Sequence, residues 1–115
     1  MSDSLNLETL AVLRELDYPG KNDFITEIIT TYISDNGDRF LALRASHQAG
    51  DAIGMGKSAH SIRGSSLNVG AEGLATLMQA IEKEGKAGIL SAPERLAEAE
   101  ALFNQVRAEL KNVLG

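Results

Sequence analysis

His60 and its neighbours are the residues of this sequence whose types and spacing could do chemistry. In a helix, Gly56 and Gly64 lie four residues on either side of His60, and Lys57 and Arg63 lie three residues on either side, all on one face. This pattern predicts an exposed imidazole with small residues above and below it and two cations beside it. We expect such a histidine to be presented to a macromolecule that carries an anionic group.

Other reactive groups are few. The 115 residues include no Cys and two His, which excludes a thiol nucleophile, a disulfide and a zinc ribbon and leaves too few ligands for a His-rich metal site. His47 comes near a predicted helix end, where an imidazole interacts favourably with the helix dipole, so we interpret it as structural or neutral. Spacing alone does not separate His60 from an ordinary surface histidine.

Three glycines lie inside the helix that carries His60. Gly54, Gly56 and Gly64 each cost that helix about 1 kcal/mol relative to alanine. One interpretation is that something must approach the helix backbone closely. The alternative is drift or fraying, which we consider for Gly54.

Apolar residues recur at helical spacing along most of the chain, and no stretch alternates as a strand would. The predicted helices span about residues 7–16, 24–48, 51–69 and 71–86, with a last one after Ser91; Tyr18-Pro19-Gly20 is a predicted turn and Gly37 a candidate break or kink. Short loops favour antiparallel packing of sequential helices. The predicted fold is all-α, an antiparallel up-and-down four-helix bundle with a short extra N-terminal helix.

Helix ends and buried faces are predicted as well. Asp51 should cap the third helix, Ser91 with Glu94 forms a capping-box pattern before the last, with Pro93 in its first turn, and Gly85 and Gly88 should end the fourth. The residues expected to face the core are Phe24, Ile28, Ile29, Tyr32, Phe40, Leu41 and Leu43 in the second helix, Met55, Ala59, Ile62, Ser66 and Val69 in the third, Leu74, Leu77, Met78 and Ile81 in the fourth, and Leu96, Ala99, Phe103, Val106, Leu110 and Val113 in the last.

Charge and hydropathy narrow the class of protein. Lys and Arg number 11 against 16 Asp and Glu, a net charge of −5, and an acidic chain is a poor candidate for binding nucleic acid. Apolar runs are too short to span a membrane, and the N-terminus lacks the pattern of a signal peptide. We expect one cytoplasmic domain over residues 1–115.

The segment around His60 resembles the signature of the histidine-containing phosphotransfer (HPt) domain family. In that family an Ala-His pair is followed by an apolar residue, a Lys or Arg, then Gly, small residues and a Gly-Ala-like end. The resemblance extends over the whole chain, through the Leu41–Asp51 stretch upstream, Leu74-x-x-Leu77 downstream and the last helix. The matching segment reads Ala59-His60-Ser61-Ile62-Arg63-Gly64-Ser65-Ser66-Leu67-Asn68-Val69-Gly70-Ala71.

This resemblance implies a phosphorelay carrier. His60 would accept a phosphoryl group from the aspartyl phosphate of a receiver domain, in a response regulator or a hybrid histidine kinase, and pass it to another receiver. The attacking atom would be Nε2, with the proton on Nδ1. No cofactor is implied for this chain, because Mg²⁺ would belong to the receiver, and without a P-loop or room for an ATP-binding domain we expect no autokinase activity. The chain is expected to be a monomer.

The resemblance also implies roles for residues around His60. Glu82 would orient the imidazole by accepting a hydrogen bond from Nδ1, with Gln79, one turn away, as the runner-up. A carboxylate there also favours the imidazolium, so its effect is a compromise. Arg63 matches the basic position of the family. Further expected contributors are Lys57, Lys83 and Lys86 as cations, Gly64 as space for the incoming receiver, and Ile53, Gly56 and Leu67 as docking surface.

Two alternatives compete with a carrier. The first is a non-catalytic bundle that binds receivers without accepting phosphate. The second is a structural bundle that dimerises through the seam from Leu96 to Val113, whose spacing also fits a monomeric bundle. An exposed, reactive His60 would separate the carrier from both.

Overall fold

The computed structural model describes residues 5–16 and 23–114, and all regular structure in these ranges is helical, which confirms the all-α prediction. The predicted turn Tyr18-Pro19-Gly20 lies outside the described residues. Within them, no helix has the length and apolar character needed to cross a membrane. The helices are α1 (Leu7–Glu15), α2 (Asp23–Gln48), α3 (Ala52–Asn68), α4 (Glu72–Lys86) and α5 (Pro93–Leu114).

The chain reverses at a glycine after each of α2, α3 and α4. Gly50, Gly70 and Gly88 follow these helices with φ of 74°, 78° and 77°, a left-handed conformation that suits glycine. The residue after each glycine then donates its N–H to a carbonyl five positions back, the hydrogen bond of a Schellman motif. These bonds run from Asp51 to Ser46 (2.8 Å), from Ala71 to Ser66 (2.8 Å) and from Ile89 to Glu84 (2.9 Å).

The core-facing sides of the helices largely match the predicted spacing. In α3, the predicted seam is buried throughout, and in α5 only its two ends, Leu96 and Val113, are half-buried. In α2, the prediction was wrong for Phe24 and Leu41, which are 39% and 60% exposed. In each case the neighbouring residue, Ile25 or Phe40, is buried instead, because adjacent residues point about 100° apart around a helix. The buried face of α2 therefore differs from the predicted one at these positions. The buried residues of α2 are Ile25, Ile29, Tyr32, Asn36, Phe40 and Leu43.

Helix α2 runs unbroken through Gly37, so the predicted break is absent. It packs against α5 through aromatic rings: the Phe40 and Phe103 centroids lie 4.9 Å apart in a stacked arrangement, and those of Tyr32 and Phe103 lie 6.1 Å apart. These pairs fix the α2–α5 side of the bundle, opposite the α3–α4 side described next.

Helices α3 and α4 touch backbone to backbone at Gly56 and Gly85. A Cβ placed on Gly85 would lie 2.6 Å from the Gly56 Cα and 2.6 Å from the Ala52 carbonyl oxygen, and one placed on Gly56 would lie 3.2 Å from the Gly85 Cα. Gly85 was predicted to end α4, but it lies inside the helix, and Gly88 alone makes the left-handed turn. The missing side chains let the helices approach closely, which sets His60, one turn after Gly56, opposite α4.

The sequence predicted the cap of α3 correctly and the cap of α5 wrongly. Asp51 caps α3 as expected, with its carboxylate accepting from the Gly54 N–H at 2.9 Å. Helix α5 begins at Pro93, but the Ser91 hydroxyl donates to Glu84 Oε1 at 2.8 Å instead of forming a capping box.

His47 has a structural contact. Its Nε2 donates to the Ser91 carbonyl at 2.8 Å, and this hydrogen bond connects the end of α2 to the start of α5.

We predict that Gly85→Ala destabilises the protein by about 1–3 kcal/mol, because its methyl group would collide with backbone atoms that cannot rotate away. Gly37→Ala is the matched control: nothing lies within 4 Å of a Cβ there, so the better helix propensity of alanine should stabilise the protein by up to about 1 kcal/mol. Urea unfolding followed by circular dichroism measures both. A Gly85→Ala variant as stable as wild type would show that the helix contact is not tight.

Candidate functional site

His60 lies on the solvent side of α3. Its side chain is 62% exposed, whereas Ala59, one residue before it, and Ile62, two residues after it, are fully buried. The imidazole borders an open depression of about 490 Å³ whose other walls include Lys57 and Lys86. No described residue forms a hydrogen bond with Nε2, and the exposed ring leaves this atom accessible beside the depression.

Glu82 of α4 holds the other ring nitrogen. Its side chain is only 6% exposed, and its Oε2 lies 2.8 Å from His60 Nδ1. Gln79, the runner-up, is exposed one turn earlier on α4 and forms no hydrogen bond with the ring. Glu82 reaches His60 because Gly85, one turn further along α4, is in contact with Gly56.

Two cations share the Glu82 carboxylate with His60. Arg63 Nε donates to Oε1 at 2.8 Å, and Lys86 Nζ lies 3.0 Å from Oε2, the oxygen that also faces His60. A second nitrogen of Arg63, Nη2, lies 3.3 Å from His60 Nδ1. Both carboxylate oxygens are therefore satisfied by donors on α3 and α4, as a buried charge requires.

The charge state of Glu82 follows from these contacts. Burial raises the pKa of its carboxyl, but hydrogen bonds from Lys86, His60 and Arg63, with the charge of Arg63, outweigh burial and lower the pKa to about 2. An ionised carboxylate can only accept hydrogen bonds, so the 2.8 Å contact assigns the proton of a neutral ring to Nδ1. Nε2 then carries the lone pair, on the exposed edge of the ring.

The two cations also change what Glu82 does to the ring. A lone carboxylate would favour the imidazolium, which has no lone pair on Nε2. Arg63 and Lys86 offset that attraction because they place two positive charges on the same carboxylate. The arrangement can orient His60 without requiring it to be charged, which suits a nucleophilic nitrogen.

The remaining cations and the small residues take different places around His60. Lys57 and Lys83 are exposed, and neither forms an ion pair with Glu82. Gly64 is exposed, and a Cβ there would meet nothing within 4 Å. Gly56 is buried in the contact with Gly85 and also lines the depression beside His60.

Apolar residues flank the site along α3. Ile53 and Leu67, seven residues on either side of His60, are 52% and 47% exposed. Ser65 faces the other way, toward α2, where its hydroxyl donates to Asn36 Oδ1 at 3.0 Å. Within the described residues, no group of three His, Cys, Asp or Glu is placed to hold a metal ion.

Sequence reasoning identified each residue of this cluster but missed two relationships. Lys86 was expected only to widen a positive patch, yet it binds the carboxylate that orients His60. Gly85 was assigned to a helix end, although it lies three residues after Glu82. A glycine near each of the two residues, Gly85 after Glu82 and Gly56 before His60, is the only hint in the sequence, and the helix crossing alone shows that the two glycines meet.

We predict that Glu82 makes stability depend on pH. Because its pKa is about 2 in the folded protein against an ordinary 4.5, its contribution is complete above about pH 4.5 and is lost as the pH falls toward 2. The urea midpoint of wild type should therefore fall more steeply below pH 4.5 than that of Glu82→Gln. Glu98→Gln, which removes an exposed carboxylate on α5, is the control and should follow wild type. Parallel curves for wild type and Glu82→Gln would contradict the assignment.

Comparison with known proteins agrees with the fold. The chain matches the Hpt domain model over residues 27–114. It is similar to the crystal structure of histidine-containing phosphotransfer protein B (HptB) from Pseudomonas aeruginosa PAO1, with 31% sequence identity, a TM-score of 0.87, and coverage of 97% of this chain and 95% of that chain. Comparison with curated proteins finds no match. The chain belongs to the Hpt domain family and is a histidine phosphotransfer protein.

Proposed function

We propose that this protein is a phosphorelay intermediate that carries a phosphoryl group on His60 between receiver domains. The observation that carries the proposal is an exposed imidazole whose Nδ1 donates to a buried, ionised Glu82 at 2.8 Å, which leaves Nε2 free toward solvent. The donor would be the aspartyl phosphate of one receiver, and the acceptor the aspartate of another. The same step in reverse would return the group.

The transfer is an in-line displacement at phosphorus. The Nε2 lone pair forms a bond to phosphorus while the bond from phosphorus to the aspartyl oxygen breaks, and that electron pair returns to the receiver carboxylate. The ring becomes positively charged, and its Nδ1–H stays hydrogen-bonded to Glu82. The contribution of this chain is to hold the nucleophile in place, since positioning supplies much of the acceleration in such a reaction.

We assign the Mg²⁺ and any nucleotide chemistry to partner proteins. The described residues offer no cluster of three acidic, His or Cys side chains for a metal ion, and the sequence has no Gly-rich P-loop. The chain would therefore neither bind a cofactor nor phosphorylate itself from ATP. Its phosphoryl group would come from a receiver that carries its own Mg²⁺.

The surface around His60 supports a receiver as the partner. Four cations lie around the His60–Glu82 pair in a chain whose net charge is −5, and such a local patch suits an acidic, metal-binding receiver site. Ile53 and Leu67 add exposed apolar contacts on both sides. The cations are Lys57, Arg63, Lys83 and Lys86. We propose receivers of response regulators and hybrid histidine kinases as partners, and not nucleic acid or a membrane.

We also propose that the protein acts as a monomer in the cytoplasm. The α5 seam that could have joined two chains is used inside this one: Phe103, Val106 and Leu110 are buried in the core of the bundle. The absence of Cys fits a reducing compartment. The surviving alternative is a bundle that binds receivers without accepting phosphate, and the next experiment separates the two.

We predict that wild type, incubated with phosphorylated receivers, acquires a phosphate that is labile in acid and stable in base, and that His60→Gln acquires none. His47→Gln, which removes the other histidine, is the control and should still be labelled. Failure of wild type to take label from any receiver while still binding them would favour the non-catalytic alternative. Equal labelling of His60→Gln would place the phosphate elsewhere.

We predict that Gly64→Ala makes the protein more stable but slows transfer. The methyl group meets nothing in this chain, so the helix gains up to about 1 kcal/mol, yet it lies one turn from His60 where a receiver would approach. Misplacing reacting groups by a fraction of an ångström should cost about tenfold or more in transfer rate. Gly37→Ala, stabilised in the same way in α2, is the control and should transfer at the wild-type rate. A Gly64→Ala variant that also does so would remove the role of this glycine.

A further inference from the structure

Resting on the proposed function, we infer that Arg63 is the second hydrogen-bond partner of His60 Nδ1, used after the phosphorylated ring loses its Nδ1 proton. In the unphosphorylated protein, Glu82 Oε2 accepts from Nδ1–H at 2.8 Å. Arg63 Nη2 lies 3.3 Å from the same nitrogen with hydrogen-bonding geometry. The two partners are complementary, because one accepts a hydrogen bond and the other donates one.

The need for a second partner comes from the chemistry of phosphorylation. When the Nε2 lone pair bonds to phosphorus, the ring carries a proton on Nδ1 and a positive charge. Loss of that proton to water leaves a neutral ring with a lone pair on Nδ1. This lone pair then faces the ionised Glu82 Oε2, and two acceptors repel each other. Without a donor nearby, the ring would turn away from its transfer position.

The geometry of Arg63 meets this need without moving Glu82. Its Nε stays on Glu82 Oε1 at 2.8 Å while Nη2 donates to Nδ1, and Lys86 Nζ remains on Oε2 at 3.0 Å. An arginine can do both because its guanidinium presents N–H groups in a rigid fork, whereas the ammonium of a lysine is a single point charge. The Arg63 side chain is only 30% exposed, which agrees with a role directed toward the ring and Glu82.

Charge must be separated from hydrogen bonding in any test. The charged groups around His60 in the described residues are Lys57 and Arg63 on α3 and Glu82, Lys83 and Lys86 on α4. All four cations disfavour a positively charged ring through charge alone. Arg63→Lys keeps the charge but loses the fork, while Lys57→Gln removes a charge that does not contact Nδ1. Comparing these two variants separates the charge of Arg63 from the hydrogen bonds of its fork to Nδ1 and to Glu82 Oε1.

The experiment loads the full chain, with ¹⁵N-labelled histidine, using phosphoramidate or a phosphorylated receiver. Two-bond ¹H–¹⁵N spectra of the phosphorylated ring from pH 5 to 9 then report the midpoint of Nδ1 proton loss. In Arg63→Lys we expect this midpoint to rise by about half a pH unit or more, since one hydrogen bond commonly changes an equilibrium about threefold to tenfold. Lys57→Gln should shift it by less. Arg63→Gln, a second variant should Arg63→Lys fold poorly, should raise it at least as much.

A second readout is the lifetime of the phosphorylated protein. A protonated ring is the better leaving group, so Arg63→Lys should lose phosphate to water about threefold faster than wild type at pH 7.

The outcomes separate the inference from the proposed function. An unchanged midpoint in Arg63→Lys and Arg63→Gln, or an equal shift in Lys57→Gln, overturns the inference while leaving the proposed function intact. A wild type that phosphoramidate labels but no receiver labels overturns the proposed function, and the ring titration still decides the role of Arg63. Phosphate on Nδ1 instead of Nε2 overturns the inference and the assignment of Nε2 as the attacking atom, while His60 remains the carrier.

Discussion

The backbone contact between Gly56 of α3 and Gly85 of α4 is the constraint on which the site depends. Two helices that carried side chains at this point would be held further apart. Because the helices are antiparallel, residues one turn away from the contact on each helix also face each other. His60 and Glu82 occupy those positions, so the distance from Nδ1 to Oε2 is set by the helix crossing.

A buried carboxylate is the second consequence of that crossing. Glu82 is nearly inaccessible to solvent, and an unpaired charge there would be strongly destabilising. Donors from His60, Arg63 and Lys86 satisfy it from both helices. The same contacts keep the carboxylate ionised, which fixes the tautomer of a neutral ring and leaves the lone pair on Nε2. Structural stability and the chemical state of the site are thus coupled through one group.

Gly56 and Gly64 lie four residues on either side of His60 in α3, but a side chain is missing at each position for a different physical reason. Gly56 is required by the protein itself, because a side chain would meet the backbone of α4. Gly64 is exposed and unused by the rest of the chain, yet it costs helix stability. A stability cost without a benefit inside the chain agrees with a surface reserved for a partner next to the reactive ring.

The sequence alone determined the helices, the buried seam of α3, the exposure of His60 and the family, because these depend on short-range periodicity and a local motif. It misplaced Phe24 and Leu41, since a shift of one residue turns a side chain by about 100° and only the neighbouring helices decide which line is buried. Tertiary structure alone decided that Gly85 is a contact point and that Glu82 is shared by Arg63 and Lys86 as well as His60. Those relationships join residues on two helices, and their distances follow from the crossing of α3 and α4, which no spacing within one helix specifies.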